Sequence, residues 1–335
     1  MSDQKQGYAG MAAGDSPFGI NAHVPDDRQL DLVQEAGIKW VRLDFDWSGI
    51  EPQKGNPQYA RLHEVVANAR RRHLEIFATL AYTPPWANGN HEDCHYPPED
   101  ADKWRNFVAR AVAEFKDDIK HWGMWNEPNL KRFWQGSARQ YVDLILKPGS
   151  EAARKADPDC KIVAPDLCIV DKEWPGWITE IGKRAGPEYL HVFSCHVYKE
   201  KESEGPDAVI ATLEKGKGLP ALQPFFPHWK AVRRVLTEAG LGSKPIWLTE
   251  IGWHTRPGYK ENTVSDETQA TFYAGMCDRV MERKEWLQRI FFYELRDLPN
   301  AGDHKWGILT PTNEKKRSYV AYRDAIQKYE PAAIG

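Results

Sequence analysis

The sequence predicts a single-domain α/β fold, a closed (β/α)8 barrel of the TIM type. Two observations carry that prediction. Short runs rich in β-branched and aromatic residues alternate with amphipathic stretches, eight of each. The 335 residues contain no Ser/Gly/Pro-rich linker, repeat or low-complexity block at which a second domain would begin. Strict alternation implies parallel strands joined by helical crossovers, and eight such units are enough to close a barrel. A doubly wound open sheet shares the alternation, but no G-x-G-x-x-G or Walker loop follows an early strand.

In chain order the expected strands are Phe18–His23, Lys39–Phe45, Glu75–Ala81, His121–Trp125, Lys161–Asp166, His191–Tyr198, Pro245–Ile251 and Arg289–Leu295. The expected helices are Asp26–Ala36, Pro57–His73, Asp100–Lys116, Ser137–Ala156, Trp174–Lys183, Trp229–Ala239, Ser265–Glu285 and Lys316–Lys328. Ser137 and Ser265 stand where N-caps are expected, and Gly37 and Gly240 where left-handed residues end helices. Long loops are expected after strand three (Tyr82 to Glu99) and strand six (Lys199 to Pro227). Residues 1–16 read as a polar N-terminal segment, 17–330 as the catalytic barrel and 331–335 as a tail.

Composition excludes several function classes. Lys and Arg number 45 against 48 Asp and Glu, a formal charge of −3, so nothing draws the chain to nucleic acid or an anionic membrane. With 41% hydrophobic and 28% charged residues the chain is folded, and no run approaches the length of a membrane span. The N-terminus lacks the basic start and apolar stretch of a secretory signal, which fits a cytoplasmic protein or one whose signal has been removed. The five cysteines (Cys94, Cys160, Cys168, Cys195, Cys277) are odd in number and have no C-x-x-C spacing. Neither a disulfide framework nor zinc is expected, and Cys168 and Cys195 read as small buried hydrophobes. The 14 Trp, 13 Tyr and 12 Phe are the departure from ordinary composition, and they direct attention to places where flat rings meet flat ligands.

In a barrel of this kind the site lies at the C-terminal ends of the strands. There the sequence gathers Asn21 and His23, Arg42, Asp44 and Asp46, Tyr82 to Trp86, Asn126-Glu127-Pro128-Asn129, Asp166, His196 and Tyr198, Thr249-Glu250 with Trp253-His254, and Glu294 with Arg296-Asp297. Two glutamates stand where apolar strands break into loop, Glu127 after strand four and Glu250 at strand seven. A carboxylate there is costly unless it has partners and a task. Strands four and seven face each other across the mouth. Two carboxyls about 5–5.5 Å apart suit a retaining glycosidase, and a gap near 6.5–9.5 Å an inverting one.

The chain resembles the retaining glycoside hydrolases of clan A, and most of all their family 39 branch, from Phe18 to about Lys328. Its markers are Trp40-Val41-Arg42 with Trp47 and Ile50-Glu51-Pro52, Tyr82-Thr83-Pro84-Pro85-Trp86, Trp125 to Asn129, His196-Val197-Tyr198, Leu248 to Trp253, and Tyr293 to Asp297. The resemblance implies that Glu127 is the general acid/base, with a raised pKa, and Glu250 the nucleophile. It implies that Asn126 bonds the sugar 2-hydroxyl and that Arg42 and Tyr198 hold the nucleophile ionised and oriented. It further places His196 in the same wall and Trp253 under the attacked sugar. No cofactor is implied. The partner is an oligo- or polysaccharide.

Blander readings stand beside these. The glutamates could bridge barrel loops, and Arg42 could be a barrel salt bridge to Asp44 or Glu250, which is also how it would tune a nucleophile. His23, His196 and Asp166 suggest a metal site at first sight, but no third histidine is suitably placed, so His23 reads as a satisfied rim histidine and no metal is expected. Trp86 and Trp134, in loops after strands three and four, read equally as sugar platforms or as loop packing. Many clan members carry an aromatic platform after strand eight. Here Phe292-Tyr293-Glu294 runs into Arg296-Asp297, which suggests that Asp297 makes a polar contact to sugar instead. Family 39 exo-xylosidases commonly add a β-sandwich, and this chain reads as a bare barrel, so endo action on a polysaccharide is the leading expectation. An exo-β-glycosidase of xylosidase type, a transglycosylase and a carbohydrate-binding barrel without turnover are the alternatives.

Overall fold

The computed structural model describes residues 15–255, 263–299 and 305–330. Eight parallel strands close in sequence order: β1 (Phe18–His23), β2 (Trp40–Asp46), β3 (Glu75–Ala81), β4 (His121–Met124), β5 (Lys161–Cys168), β6 (Val192–Tyr198), β7 (Ile246–Gly252) and β8 (Leu287–Phe292). All eight expected strands form. β4 stops one residue early because Trp125 takes a positive φ of 85°. β5 runs on to Cys168, and β8 lies about two residues nearer the N-terminus than its aromatic run suggests.

The eight expected helices also form. Ser137 and Ser265 cap their helices, Ser137 in a reciprocal capping box with Gln140. Gly37 and Gly240 adopt φ of 76° and 77° just past helix ends, where a residue with a Cβ would be strained. The expected helix from Ser137 to Ala156 contains a π-turn at Val142–Leu146 immediately before Pro148, whose missing N–H cannot continue the α-helical ladder. One expectation is corrected. The segment after β6 is not simply a loop but folds a further helix, Pro206–Glu214, with Pro at its first position and Val209, Ile210 and Leu213 buried. Trp229 lies in a separate 3-10 turn, and the following helix starts at Val232.

The barrel interior is filled in two layers of opposite character. At the N-terminal end Trp40, Phe77, Val163, Val192, Trp247 and Phe291 form a buried plug, with Arg289 over the Trp40 and Trp247 rings. Above it, Asn21, Arg42, Thr79, Asp166, Ser194 and Thr249, one from each of six strands, form a buried polar layer. The aromatic plug supports that layer from below. Among the described residues no helix is long and apolar enough to cross a membrane, and the five cysteines are free.

The plug fits because β1 contributes a glycine where other strands contribute rings. A Cβ on Gly19 would lie 2.5 Å from the Phe291 ring, which has no room to withdraw. Gly19→Ala is therefore expected to destabilise the fold by about 1–3 kcal/mol. Urea denaturation would show it as a lowered midpoint, and an unchanged midpoint would mean that the plug is loosely packed.

Candidate active site

The backbone bends sharply where the strands meet the C-terminal mouth. His23, Tyr82, Trp125, Glu127 and Asp166 all have positive φ, between 44° and 85°. Such conformations are uncommon for residues with a Cβ and cost of order 1–3 kcal/mol each, so the surrounding fold must hold them. Strand register shifts at the same places. On β7 Leu248 pairs with Cys195 but Glu250 pairs with His196, so Thr249 is an extra residue. That bulge lets Thr249 and Glu250 both serve the interior, although a regular strand would turn one of them outward.

Arg42 stands at the centre. Its Nε donates to Thr79 Oγ1 at 3.0 Å, and its NH1 donates to Asn21 Oδ1 at 2.8 Å and Glu250 Oε1 at 2.6 Å. Its NH2 donates to Asn126 Oδ1 at 2.8 Å and Asp166 Oδ2 at 3.0 Å. All five guanidinium N–H groups thus have acceptors. Asp166 is fixed in turn by Thr249 Oγ1, which donates to it at 2.7 Å, and its backbone N–H donates to Ser194 Oγ at 2.9 Å. Burial works against the Asp166 charge, but Arg42, His196 and Ser194 together outweigh it and hold the carboxyl down at about 2.

Glu250 also accepts from the Tyr198 hydroxyl. Between the two glutamates sits His196, its Nδ1 2.9 Å from Glu127 Oε1 and 3.5 Å from Glu250 Oε2. The ligand atoms of Glu127, His196 and Glu250 all lie within 4.8 Å of one another, which puts the carboxyls in the close class of glycosidase pairs. Burial opposes a charge on His196, yet Glu250, Asp166 and Glu127 push it up to about 9. Burial alone would raise Glu127, but the imidazolium beside it brings its carboxyl below the ordinary value. That reverses the direction expected for Glu127, because the hydrogen bond and charge of His196 favour the carboxylate.

These groups open into a cavity of about 490 Å³ at the mouth, lined among others by His23, Arg42, Asn126, Glu127, Tyr198, Glu250, Tyr293 and Trp306. His23 bonds Asp44 at 2.8 Å and Glu294 at 3.1 Å, so the rim histidine is paired with two carboxylates.

Four candidates lie elsewhere. Trp253 is fully buried, donates to Glu204 O and packs on Phe272 and Tyr273, so it is not a floor of the cavity. Trp134 is equally buried, its indole donating to Ser137 O. Trp86 is half-buried against Trp47 and donates to Glu51 O. Asp297 accepts from Lys316 and from the Gly307 N–H beneath the rim, so it faces the protein and not the cavity. The aromatic lining that β8 was expected to lack is present as Tyr293, joined by Trp306 from further along the chain. The sequence places Asn21, Tyr82 and Asp166 on the rim without giving them a catalytic role, and it does not mark Thr79 or Arg132. The two-residue period along β1, β2 and β3 points Asn21, Arg42 and Thr79 to one side, and that signal was available.

A family model described as cellulase (glycosyl hydrolase family 5) matches residues 5–279. A β-xylosidase of Geobacillus stearothermophilus is 25% identical over 239 residues, 59% of this chain and 47% of the relative. A β-xylosidase of Caldicellulosiruptor saccharolyticus is 28% identical over 191 residues, 47% of this chain and 37% of the relative. The chain thus spans half or less of the length of these curated relatives. A family 39 glycoside hydrolase from Bacteroides cellulosilyticus WH2 superposes with a TM-score of 0.72 at 20% identity, over 96% of this chain and 66% of that one. A monomeric β-xylosidase from Caulobacter crescentus CB15 gives 0.67 at 17% identity, over 94% and 68%. At these identities the two structures share the barrel.

The polar layer makes two predictions. Asp166→Asn removes one of the two carboxylates facing a fully enclosed guanidinium, and should destabilise the protein by roughly 3 kcal/mol in urea denaturation. A loss within a few tenths would mean that Glu250 alone balances Arg42. The second concerns pH. With its folded pKa raised to about 9 from 6.5, His196 stabilises the fold fully below pH 6.5 and loses that contribution as pH rises through 9. The urea midpoint should fall between those values, and His196→Gln should flatten that fall. An equal fall in the variant would assign it to other groups.

Proposed function

The chain belongs to the cellulase family, glycosyl hydrolase family 5, and from that premise we propose that it is a retaining hydrolase of β- or equatorially linked O-glycosides. The observation that carries the reading is the pair of buried carboxylates, Glu127 and Glu250, whose oxygens approach within 4.8 Å across the barrel mouth.

In this reading Glu250 is the nucleophile. Arg42 at 2.6 Å and the Tyr198 hydroxyl fix its two oxygens, so that it presents an anion to the anomeric carbon. The bond from that carbon to the leaving oxygen breaks as the ester to Glu250 forms, and Glu127 gives its proton to the leaving oxygen. His196 Nδ1, 2.9 Å from Glu127 Oε1, is the store from which Glu127 receives that proton. Water then attacks the same carbon, Glu127 takes a proton from it, and the ester to Glu250 breaks. Asn126 spends its carbonyl oxygen on Arg42 and keeps its NH2 group, 3.4 Å from Tyr82 Oη, as the donor for the sugar 2-hydroxyl. Tyr293 and Trp306 supply the aromatic wall around the attacked sugar.

We read the action as within a polysaccharide chain. A second cavity of about 540 Å³ is walled by Pro128, Lys131 and Trp134 after β4 and by Lys172 and Glu173 after β5. The first cavity uses the same two loops, and this gives room for sugars beyond the leaving group. The relatives named β-xylosidase favour the exo alternative.

Hydrolysis of a panel of aryl β-glycosides and β-linked polysaccharides tests both points, with wild type run beside Glu250→Ala and azide added. Wild type is expected to cleave, and Glu250→Ala to be inactive but to yield the α-glycosyl azide from an activated substrate. Wild-type turnover in Glu250→Ala would remove it as nucleophile. Product size separates internal from terminal cleavage. Binding of oligosaccharides without any hydrolysis would favour a binding barrel.

A further inference from the structure

Because Glu127 is read as the proton donor, the sugar that leaves must lie on its side of the cavity, toward the loops after β4, β5 and β6. That wall is formed by Arg132, Phe133, Cys168, Val170 and Glu200. Arg132 is unlike the other arginine of the cavity, Arg42. Arg42 is 3% exposed and has every N–H donor bonded, whereas the Arg132 side chain is 70% exposed. The carboxylate it meets is Glu127 Oε2 at 3.4 Å, a long contact. No ion pair joins it to Glu200 among the described residues.

The loop that carries it is nonetheless anchored. The Trp125 indole donates to Phe133 O at 2.8 Å, Trp134 is buried, and Asn129 exchanges hydrogen bonds with the Cys168 backbone at 2.9 and 3.0 Å. The guanidinium lies over the Phe133 ring, 4.6 Å from its centroid. A planar cation with free donors is therefore held at the leaving-group side by its base, with its head in the cavity.

Its partner in the resting state is also the one group that must become neutral for catalysis. When Glu127 holds the proton it is about to donate, Arg132 faces no anion. A substrate carboxylate would replace the lost charge, and the guanidinium fork matches a carboxylate with two parallel hydrogen bonds. We propose that Arg132 binds the carboxylate of an acidic sugar in the leaving-group position, so that the preferred substrate is a uronate-bearing glycan. The proposal rests on the hydrolase reading and on Glu127 as proton donor.

The test uses pairs of aryl β-glycosides of one sugar, with 3- or 4-carboxyphenyl against the matching carboxamidophenyl leaving group. The two leaving groups differ in charge and little in shape. Wild type should prefer the carboxylate roughly tenfold in kcat/KM, mainly through KM and less at high salt, as one charge-assisted contact provides. In Arg132→Gln the ratio should fall to about one, and Arg132→Lys should keep part of it. Equal rates on the pair in wild type, or a preference that survives Arg132→Gln, would overturn the proposal. If wild type cleaves neither compound, the hydrolase reading fails instead. The same ratio, read as binding of the two compounds by calorimetry in wild type and Arg132→Gln, then decides the role of Arg132.

Discussion

The site is organised around one guanidinium that has been taken out of water. Moving an ion of this size into a protein interior costs several kcal/mol even after relaxation, and the cost is offset only by close, well-aligned partners. Arg42 obtains them from five places: Asn21 on β1, Thr79 on β3, Asn126 just after β4, Asp166 on β5 and Glu250 on β7. Each bond fixes the depth of one strand in the barrel relative to β2. A sliding strand would leave a buried donor unpaired, so the demands of a single side chain set the register of the catalytic mouth. The two carboxylates beside it are balanced by the same charge, which ties Asp166 to Glu250, the proposed nucleophile.

Serving one centre from so many strands conflicts with regular β geometry. Regular alternation would turn every second residue outward, yet Thr249 and Glu250 are both needed inside. The bulge on β7 resolves that conflict, and the irregular register of β1 and β5 accompanies His23 and Asp166 in left-handed conformations. The strain is concentrated where it aims side chains. The aromatic plug beneath, with its close-packed rings, supplies the rigidity against which those conformations are held.

This division explains what could be read from the sequence. Strands and helices follow from local periodicity and capping, and all eight units are visible that way. Glu127 and Glu250 are visible because a carboxylate at the end of an apolar run has few other reasons to be there. The helix Pro206–Glu214 is hidden by the Gly and Pro at its start, which read as loop although Pro fits the first turn. The indole of Trp253 is misread, and that of Trp134 is left open between stacking and packing, because a tryptophan near a site in sequence can point either way. Bulges and positive φ decide the direction, and neither has a marker in the chain. Trp306 is ambiguous for a related reason: it reaches the cavity from well beyond β8. Asp166 shows only as one polar residue ending a strand, and its importance comes from Arg42, which lies far away in sequence.

The two glutamates are chemically alike, and their neighbours separate them. Glu250 accepts from an arginine, which keeps its proton at any pH the protein survives, so its partner is a permanent cation. Glu127 leans on a histidine, which can release a proton within ordinary pH, so Glu127 can be anion or acid by exchanging one proton over 2.9 Å. A double displacement needs that asymmetry. One carboxylate must be negative whenever substrate arrives, and the other must be an acid in the first step and a base in the second. In the proposed double displacement, ester formation at Glu250 removes a like charge from beside Glu127, and this favours the anionic Glu127 that the second step uses as its base. In the proposed mechanism the roles of Glu127 and Glu250 are told apart by which neighbour can lose a proton and which cannot.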